Sequence, residues 1–407
     1  MHDHYAIAIR QGKIVALLPA AEAASRYSPT ERIDRPHHVL MSGLINAHTH
    51  AGMTLLRGTA EHLEFDPWLK ERIWPLEKRW LDPEFVRDGT ELAIAGMLGS
   101  GTTCFSEQYF FPEVIAQTAS RLQIRACIGA PIIDFSTPWA GSAAECLDKA
   151  LALHDSYRDD PLITTAFAPH AVYSVSESVL ARMRRNADEI DSPIAMHLHE
   201  SASEVAVAER PLATLDRLGF LTPTFTGVHM TQLTSEDIEL VVKSGINVVH
   251  CPQSNLKLGN GFCPVTALTR RGVNVALGTD SAASNNDLDM LDELRMGALL
   301  AGPAMTAHQW LRIATLNGAR ALNMVDQTGS LVAGKWADIC CIELNDVYTL
   351  PVHDVAAAIV HSANRSNVSD VWVAGRRVLA DRALTRQDLP DLLLRTQRWQ
   401  ERIGSTL

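Results

Sequence analysis

Residues 42–50 read SGLINAHTH, an apolar run that opens on a serine and a glycine and closes on two histidines one residue apart. In a β-strand, side chains at positions i and i+2 lie on the same face. His48 and His50 therefore point to the same side from the end of a predicted strand, as two ligands of one metal ion must. In a chain with 16 histidines such a pair carries little weight alone. Its interpretation depends on which residues lie at the ends of the other apolar runs.

Seven more apolar runs come after the first, and a segment long enough for a helix comes after each of the eight. Short apolar runs that alternate with helices indicate a parallel sheet covered on both faces. Eight such units fit an α/β fold of the (β/α)8 barrel type better than an open sheet. The runs are residues 44–50, 102–106, 124–133, 163–168, 194–199, 226–230, 248–250 and 273–278.

Both ends of the chain contain short β-like pieces. Neither end supplies enough strands for a stable sheet alone, so the two ends are predicted to pair into one small β-domain beside the barrel. The predicted division is residues 1–41 and 331–407 for the β-domain, with a terminal helix in the second part, and 42–330 for the barrel. The β-like pieces are residues 5–10, 13–18, 337–343 and 371–373, with a tight turn at 374–377.

The composition excludes several classes of protein. The 407 residues are 46% hydrophobic and 20% charged, which is typical of a globular chain. The formal net charge of −11 argues against a nucleic-acid partner, which requires a basic surface. There is no apolar segment of the roughly 20 residues that span a bilayer, and no secretion signal is recognisable. The seven cysteines form no Cys-x-x-Cys pair, so we expect reduced thiols in a cytoplasmic protein.

Histidine or aspartate lies at the end of five of the eight runs, at the end of a barrel where the chemistry is carried out. These residues are His48 and His50, His170, His197 and His199, His229, and Asp280. Three neutral imidazoles and one carboxylate suit zinc, although iron or manganese could occupy the same ligands. The fourth run ends without a lysine that could be carbamylated to bridge two ions, which points to one divalent metal ion.

Glu200 lies three residues after His197, at the turn out of the fifth predicted strand. From there its carboxylate could reach a water molecule without binding the metal. A metal that activates water, together with a carboxylate that moves protons, can add water to a trigonal carbon and expel a leaving group. The sequence therefore predicts a hydrolytic enzyme.

Five motifs extend this pattern over essentially the whole chain, and they occur in order. Together they resemble the amidohydrolase superfamily, and within it the 5'-methylthioadenosine/S-adenosylhomocysteine deaminases. This resemblance implies a distorted (β/α)8 TIM barrel with a small β-sandwich formed by the N- and C-terminal segments. The motifs are AGMTLLRG at 51–58, WPLE at 74–77, HLHE at 197–200, HCPQSN at 250–255 and TDSAASNN at 279–286.

The resemblance also implies a role for each site residue. Glu200 would pass a proton from the attacking water to a purine ring nitrogen, and His229 would orient that water. Asp280 would take a proton from the water and help deliver it to departing ammonia. The implied metal ligands are His48, His50, His197 and Asp280.

The substrate-binding residues are implied by the same resemblance. Glu77 would hold the ribose hydroxyls, and Trp68 would pack on the nucleoside or its thioether tail, unless it is only a core or lid aromatic. The loop at 136–145 contains Trp139 but no arginine or lysine, which favours an uncharged methylthio tail. His170 and Ser284 would line the substrate cleft.

The pattern leaves three functional hypotheses. The first is a zinc-dependent deaminase of 5'-methylthioadenosine, acting more weakly on S-adenosylhomocysteine and related nucleosides. The second is an aminohydrolase or chlorohydrolase of the same superfamily, acting on guanine or an s-triazine. The third is a pseudoenzyme on the same barrel, which is disfavoured because every catalytic position is filled. The resemblance further implies a homodimer or homotetramer with a small-molecule nucleoside as substrate, and no nucleic-acid or membrane partner is expected.

Overall fold

Eight parallel strands form the central sheet of the computed structural model, which describes residues 2–207 and 209–406. They pair in chain order, each with the next, and together they coincide with the eight predicted runs. The strands are β4 (Leu44–Thr49), β5 (Thr102–Gln108), β6 (Arg125–Ile132), β7 (Ile163–Pro169), β8 (Ile194–Leu198), β9 (Phe225–His229), β10 (Asn247–His250) and β11 (Asn274–Leu277). The predicted barrel is confirmed.

The barrel closes where the first and last of these strands meet, which we call the seam. The backbone N–H of Asp280 donates to the carbonyl of His48 at 3.0 Å. The side chain of Asn46 donates to Thr279 Oγ1 at 2.7 Å and accepts from the Thr279 N–H at 3.0 Å. Gly278 permits this approach, since a Cβ there would lie 2.8 Å from the Cβ of His48. The seam thus brings His48 and Asp280 side by side.

The terminal segments form two antiparallel sheets. The hairpin of β1 (Tyr5–Arg10) and β2 (Lys13–Pro19) is one of them. Apolar side chains of the hairpin pack on the larger sheet around Ile339, so the two sheets make the predicted small sandwich. The larger sheet has the order β15-β14-β13-β12-β3, with β3 (His38–Ser42), β12 (Ile339–Glu343), β13 (Val368–Val373), β14 (Arg376–Ala380) and β15 (Ala383–Leu384).

Helices cover the outside of the barrel. None among the described residues is long and apolar enough to cross a membrane. The α-helices are Ala20–Arg26, Phe65–Pro67, Trp74–Trp80, Pro83–Gly99, Pro112–Leu122, Ala143–Tyr157, Glu177–Glu189, Ala202–Val205, Pro211–Arg217, Ser235–Ser244, Pro252–Lys257, Val265–Arg270, Ala282–Asn285, Met290–Ala301, Ala307–Arg312, Gly318–Ala321, Val355–His361 and Leu389–Gly404. Short 3-10 helices are Ala51–Leu56, Val172–Ser174, Gly302–Ala304 and Arg365–Asn367, and π-helices are Trp68–Ile73 and Ile313–Asn317.

The terminal helix Leu389–Gly404 packs on the barrel. The indole of Trp399 donates to Asp88 at 3.0 Å and meets the ring of Phe85 edge to face at 5.5 Å between centroids. Asp88 and Phe85 both belong to the helix Pro83–Gly99, which leads into β5. The last helix therefore supports the barrel from outside.

Candidate metal and acid–base site

Five ionisable side chains meet at the mouth of the barrel, which we define as the carboxyl ends of its strands. His48 and His50 end the first strand, His197 and His229 lie at the ends of β8 and β9, and Asp280 comes after β11. Their potential ligand atoms fall into two groups, each within 4.8 Å. One group is His48, His197 and His229, and the other is His48, His50 and Asp280.

The hydrogen bonds of two of these histidines fix where their protons lie. Nδ1 of His50 is 2.5 Å from the carbonyl oxygen of Gln108, and Nδ1 of His197 is 2.9 Å from that of His170. Because a carbonyl oxygen only accepts, each Nδ1 carries a proton and each neutral imidazole presents a lone pair at Nε2. The two Nε2 atoms lie 3.2 Å apart. Two lone pairs at this distance repel each other, so the arrangement calls for a cation between them.

A metal ion fits this arrangement better than a proton. Nε2 of His48 is buried and has no hydrogen-bond partner among the described residues. Asp280 Oδ1 lies 3.2 Å from His50 Nε2 and 3.5 Å from His48 Nε2. A single proton could satisfy only one of these contacts, whereas a divalent metal satisfies the imidazoles and the carboxylate together. Burial lowers the pKa of His48 to about 4, which keeps it in the neutral, metal-binding form.

The second oxygen of Asp280 is held away from the histidines. Ser254 Oγ donates to Oδ2 at 2.6 Å and Ser284 Oγ donates to it at 2.8 Å. Burial acts to raise the pKa of Asp280, but the adjacent imidazoles of His48 and His50 outweigh it and hold that pKa well below its usual range. The carboxylate is therefore charged and turned with Oδ1 towards the histidines. Ser284, which the sequence predicts to line the substrate cleft, is fully buried, and its hydroxyl is engaged by Asp280.

Glu200 lies beside the ligand cluster rather than in it. It is only 6% exposed, and its Oε1 is 3.6 Å from His229 Nε2 and 3.2 Å from the amide Nδ2 of Asn260. Nδ1 of His229 lies 2.9 Å from Asn255 Oδ1, so His229 also directs its Nε2 to the centre. Burial, with the charge of Asp280 adding to it, raises the pKa of Glu200 well above its ordinary value. Such a carboxyl group is suited to holding and releasing a proton.

Residues 39–378 match the model of the Amidohydrolase family. A 5-methylthioadenosine/S-adenosylhomocysteine deaminase from Teredinibacter turnerae is 46% identical over 408 residues, covering 98% of this chain and 92% of that protein. The chain belongs to the amidohydrolase family, in its 5-methylthioadenosine/S-adenosylhomocysteine deaminase branch. This confirms the resemblance seen in the sequence motifs.

Solved structures similar to this amidohydrolase agree with the fold. An adenosine deaminase from Xanthomonas campestris with bound zinc is 48% identical, with a TM-score of 0.97 over 99% of this chain and 94% of that one. An atrazine chlorohydrolase from Arthrobacter aurescens, complexed with zinc, has a TM-score of 0.90 at 22% identity, covering 97% and 95% of the two chains. At that identity the second likeness shows the fold alone.

Glu77 reaches the mouth of this amidohydrolase through a tyrosine. The hydroxyl of Tyr109 donates to Glu77 Oε1 at 2.8 Å, and the Tyr109 ring lies 6.2 Å from the ring of His50. Gly52 leaves room for the tyrosine, since a Cβ there would come within 2.8 Å of its ring. Burial raises the pKa of Glu77 to about 7. The carboxylate predicted to bind ribose thus lies one side chain away from the histidine cluster.

Trp68 and His170 also border the cluster. Trp68 is buried in the π-helix Trp68–Ile73, and its indole N–H lies 3.4 Å from the carbonyl oxygen of Ala283. The ring of His170 is 5.3 Å from that of His197, and its Nδ1 is 2.8 Å from Ser174 Oγ. Both side chains therefore lie near the mouth, Trp68 through its contact with Ala283 and His170 through its contact with His197.

Trp139, which the sequence predicts to border the substrate, packs against residues of the two adjacent helices. It is 4% exposed, and its indole N–H donates to Glu113 Oε2 at 3.2 Å. The ammonium of Lys149 lies 5.3 Å from the ring centroid and pairs with Glu145 at 2.9 Å. Trp139 is therefore part of the packing beneath its loop. Phe135, the residue before this loop, is 45% exposed.

Several residues of the site were not predicted from the sequence. Glu107 accepts from the N–H of Ala51 at 2.9 Å and from Thr49 Oγ1 at 2.8 Å, which fixes the turn after His50. Ser254 and Asn255 lie within the HCPQSN motif, but no role was assigned to them. For Tyr109, Ser254 and Asn255 the signal that could have found them is position, since they follow the carboxyl ends of β5 and β10. The missed residues are Glu107, Tyr109, Ser254, Asn255 and Asn260.

Proposed function

We propose that this amidohydrolase is a zinc-dependent deaminase of adenosine-type nucleosides that carry a modified 5' position, above all 5'-methylthioadenosine. Water adds to C6 of the adenine, the C6–N bond breaks, and the products are the inosine derivative and ammonia. The observation that carries the proposal is the pair of opposed Nε2 lone pairs on His50 and His197, 3.2 Å apart, with Glu200 beside the cluster.

The metal ligands in this proposal are His48, His50, His197 and Asp280. A divalent metal, when bound, lowers the pKa of a coordinated water and so supplies a nucleophile at neutral pH. Zinc is favoured because the set is rich in imidazole and has a single carboxylate. The proton transfers and the binding of the substrate are carried out by side chains of the protein.

Glu200 moves the first proton. It takes a proton from the attacking water and gives it to the ring nitrogen next to C6, which makes C6 a better electrophile. Its burial raises its affinity for that proton, so the carboxyl group can carry it between two partners. His229 orients the water through Nε2, because its Nδ1 is engaged by Asn255. Asp280 takes the second proton and helps deliver it to the departing ammonia.

The substrate is held by groups further out in the mouth. Glu77 accepts hydrogen bonds from the two ribose hydroxyls, a role that needs two acceptor oxygens. Its Oε1 is oriented by the hydroxyl of Tyr109. We place the base near His170 and Trp68. The 5' tail lies towards the loop of Phe135, whose ring is 6.0 Å from that of Trp74.

The alternative reaction, on guanine or an s-triazine, has less support. The likeness to a triazine-hydrolysing enzyme is at 22% identity and concerns the fold. A panel of 5'-methylthioadenosine, S-adenosylhomocysteine, adenosine, guanine and atrazine decides between them, with ammonia and chloride release as readouts. We expect turnover of the nucleosides only. Faster turnover of guanine or atrazine would overturn the proposal, and so would a zinc-loaded protein inert on all five.

We further propose that the enzyme acts in the cytoplasm, on a free nucleoside rather than nucleic acid, as a homodimer or homotetramer. The net charge of −11 and seven buried, unpaired cysteines support a reducing compartment and a small-molecule substrate. We keep the division into residues 1–41, 42–330 and 331–407 as a proposal. Light scattering of the purified protein tests the oligomeric state, and a monomer at micromolar concentration would contradict it.

A further inference from the structure

One loop supplies hydrogen bonds to both Glu200 and His229. This loop is defined as residues 250–264, from the end of β10, and it includes the short helix Pro252–Lys257. Its residue Asn260 has no role in the reaction described above. Its Asn255 engages Nδ1 of His229 at 2.9 Å, and its Asn260 donates to Glu200 Oε1 at 3.2 Å. Two amides of one loop thus bind the two side chains that are to handle the attacking water.

Asn260 is held firmly enough to act as a fixed donor. It is 4% exposed, and its backbone N–H donates to the carbonyl of Asn255 at 2.9 Å. Its own carbonyl accepts from the side-chain amide of Gln232. The flanking residues Gly259 and Gly261 have φ of +71° and +96°, a region that favours glycine. The backbone therefore turns sharply on both sides of Asn260 and directs it inwards.

Gln232, which binds the carbonyl of Asn260, also contacts the residue before Glu200. The carbonyl of Gln232 lies 3.2 Å from Nδ1 of His199, the residue before Glu200. His199 faces away from the metal ligands, since its Nε2 accepts from the N–H of Leu212 at 3.2 Å. Glu200, Asn260, Gln232 and His199 thus close a ring of contacts. A shift of the loop would move the carboxyl group.

The two oxygens of Glu200 differ in their surroundings. Oε1 has the Asn260 amide and the His229 imidazole nearby, whereas Oε2 has no hydrogen-bond partner within residues 2–207 and 209–406. We propose that Asn260 is a positioning residue, whose amide holds Oε1 of Glu200 so that Oε2 is presented to the ring nitrogen of the bound base. This inference rests on the proposed function, because it acts through the acid–base role of Glu200.

The first test compares Asn260→Ala with a matched amide at the other end of the barrel. Asn247 is equally buried and donates to the carbonyl of Pro223 at 2.9 Å, at the start of β10. We expect Asn260→Ala to lower kcat for 5'-methylthioadenosine by about ten- to one-hundred-fold, as for a lost hydrogen bond to a charged group. KM and zinc content should stay within about two-fold of wild type. Asn247→Ala should lower the melting temperature and leave kcat unchanged.

The second test is a double-mutant cycle with Glu200→Gln. If Asn260 acts through Glu200, Asn260→Ala should have less than about a two-fold further effect in the Glu200→Gln background. Full additivity, or wild-type kcat for Asn260→Ala, would overturn the inference. A Glu200→Gln variant with wild-type kcat would instead refute the acid–base role in the proposed function. The two failures are thereby distinguished. If Asn260→Ala does not fold, Asn260→Leu, which keeps roughly the size of the side chain but has no donor, replaces it in both tests with the same expectation.

Discussion

The two ends of the barrel each bury a polar cluster, and the clusters differ in completeness. At the base, which is the amino end of the strands, Arg125 and Asp338 form an ion pair with Nε and Oδ2 2.8 Å apart. At the mouth, the lone pairs of His50 and His197 face each other, and Nε2 of His48 is left without a partner among the described residues. Both clusters are largely buried, so a difference in exposure to bulk water does not account for it.

The charged groups of the base cluster find all their hydrogen-bond partners within the protein. Asp338 accepts from Thr328 Oγ1 at 2.8 Å and from the N–H of Ala374 at 2.7 Å, in addition to Arg125. Arg125 also donates to the carbonyl of Pro161 at 2.8 Å. Donors match acceptors and the charges cancel. A buried polar cluster in which all donors and acceptors are paired stabilises the fold, whereas a buried cluster that lacks a cation marks a binding site.

Asp280→Ala is the change with the largest expected effect at the mouth. Removing the only carboxylate of the proposed ligand set should abolish both metal binding and activity, because three imidazoles remain without the charge that balances the metal. Metal analysis of purified protein and the ammonia assay check this. Ser284→Ala, which removes only one hydrogen bond to Asp280, should keep the metal. A fully metallated and active Asp280→Ala protein would contradict the ligand assignment.

Glu200→Gln should separate metal binding from turnover. Glutamine keeps the size of the side chain but cannot carry the proton, so we expect a loss in kcat of about 10²–10⁴-fold with zinc content unchanged. Steady-state kinetics and metal analysis of the same sample are the measurements. Near wild-type turnover would remove Glu200 from the mechanism.

Asp338→Ala, at the base of the barrel, should lower the stability of the protein but leave turnover unchanged. It leaves the guanidinium of Arg125 buried without its partner, which typically costs about 3–5 kcal/mol of unfolding free energy. Urea denaturation measures that loss, and kcat per folded, zinc-loaded enzyme should not change. The double change Arg125→Met with Asp338→Leu is the control, and it should recover part of the stability. Equal losses in the single and double variants would mean that the pair does not act as a unit.

Glu77→Ala should discriminate between substrates. Loss of hydrogen bonds from the ribose hydroxyls to a charged group should cost about 1.5–3 kcal/mol in kcat/KM for 5'-methylthioadenosine. A 2',3'-dideoxy analogue should be far less affected, because it lacks those hydroxyls. If both substrates suffer equally, Glu77 has a structural role through Tyr109 alone.

The smallest expected effect concerns the 5' substituent. Lys149 is paired with Glu145, and Arg158 lies beyond the helix Ala143–Tyr157, at the base side of the barrel, paired with Asp155. Neither is placed to bind the carboxylate of S-adenosylhomocysteine. We therefore expect kcat/KM for 5'-methylthioadenosine to be higher by about ten-fold, or ~1.4 kcal/mol. Equal or reversed preference would show that another cation reaches the tail.

The sequence predicted the barrel well because its strands are buried on both faces. Such strands read as continuous apolar runs, and all eight were found. The second run was predicted to end at Ser106, although β5 continues to Gln108. Glu107 and Gln108 look like loop residues, and they are buried in the strand because Thr49, Ala51 and the carbonyls of β7 bind them.

Residues that depend on distant partners were harder to predict. The candidate histidines, Asp280 and Glu200 were found from their positions at or near strand ends, whereas the choice of four proposed metal ligands came from the family resemblance. The burial of Trp139 depends on Glu113, 26 residues earlier, and on Lys149. The role of Asn260 depends on glycine turns that bring it back over Glu200. Local pattern does not contain either contact, so these placements required the structure.

The seam has a consequence for the order in which the protein matures. Its Asn46 and Thr279 are 233 residues apart, and the proposed ligands His48 and Asp280 lie just beyond them. A ribosome-bound chain that has emerged only as far as β10 has most of the barrel but lacks the aspartate. On the proposed ligand assignment, the complete metal site forms only after the last strand has docked, and a bound ion then links the first strand to the last. The zinc content of a sample would therefore measure the fraction of chains whose barrel is complete.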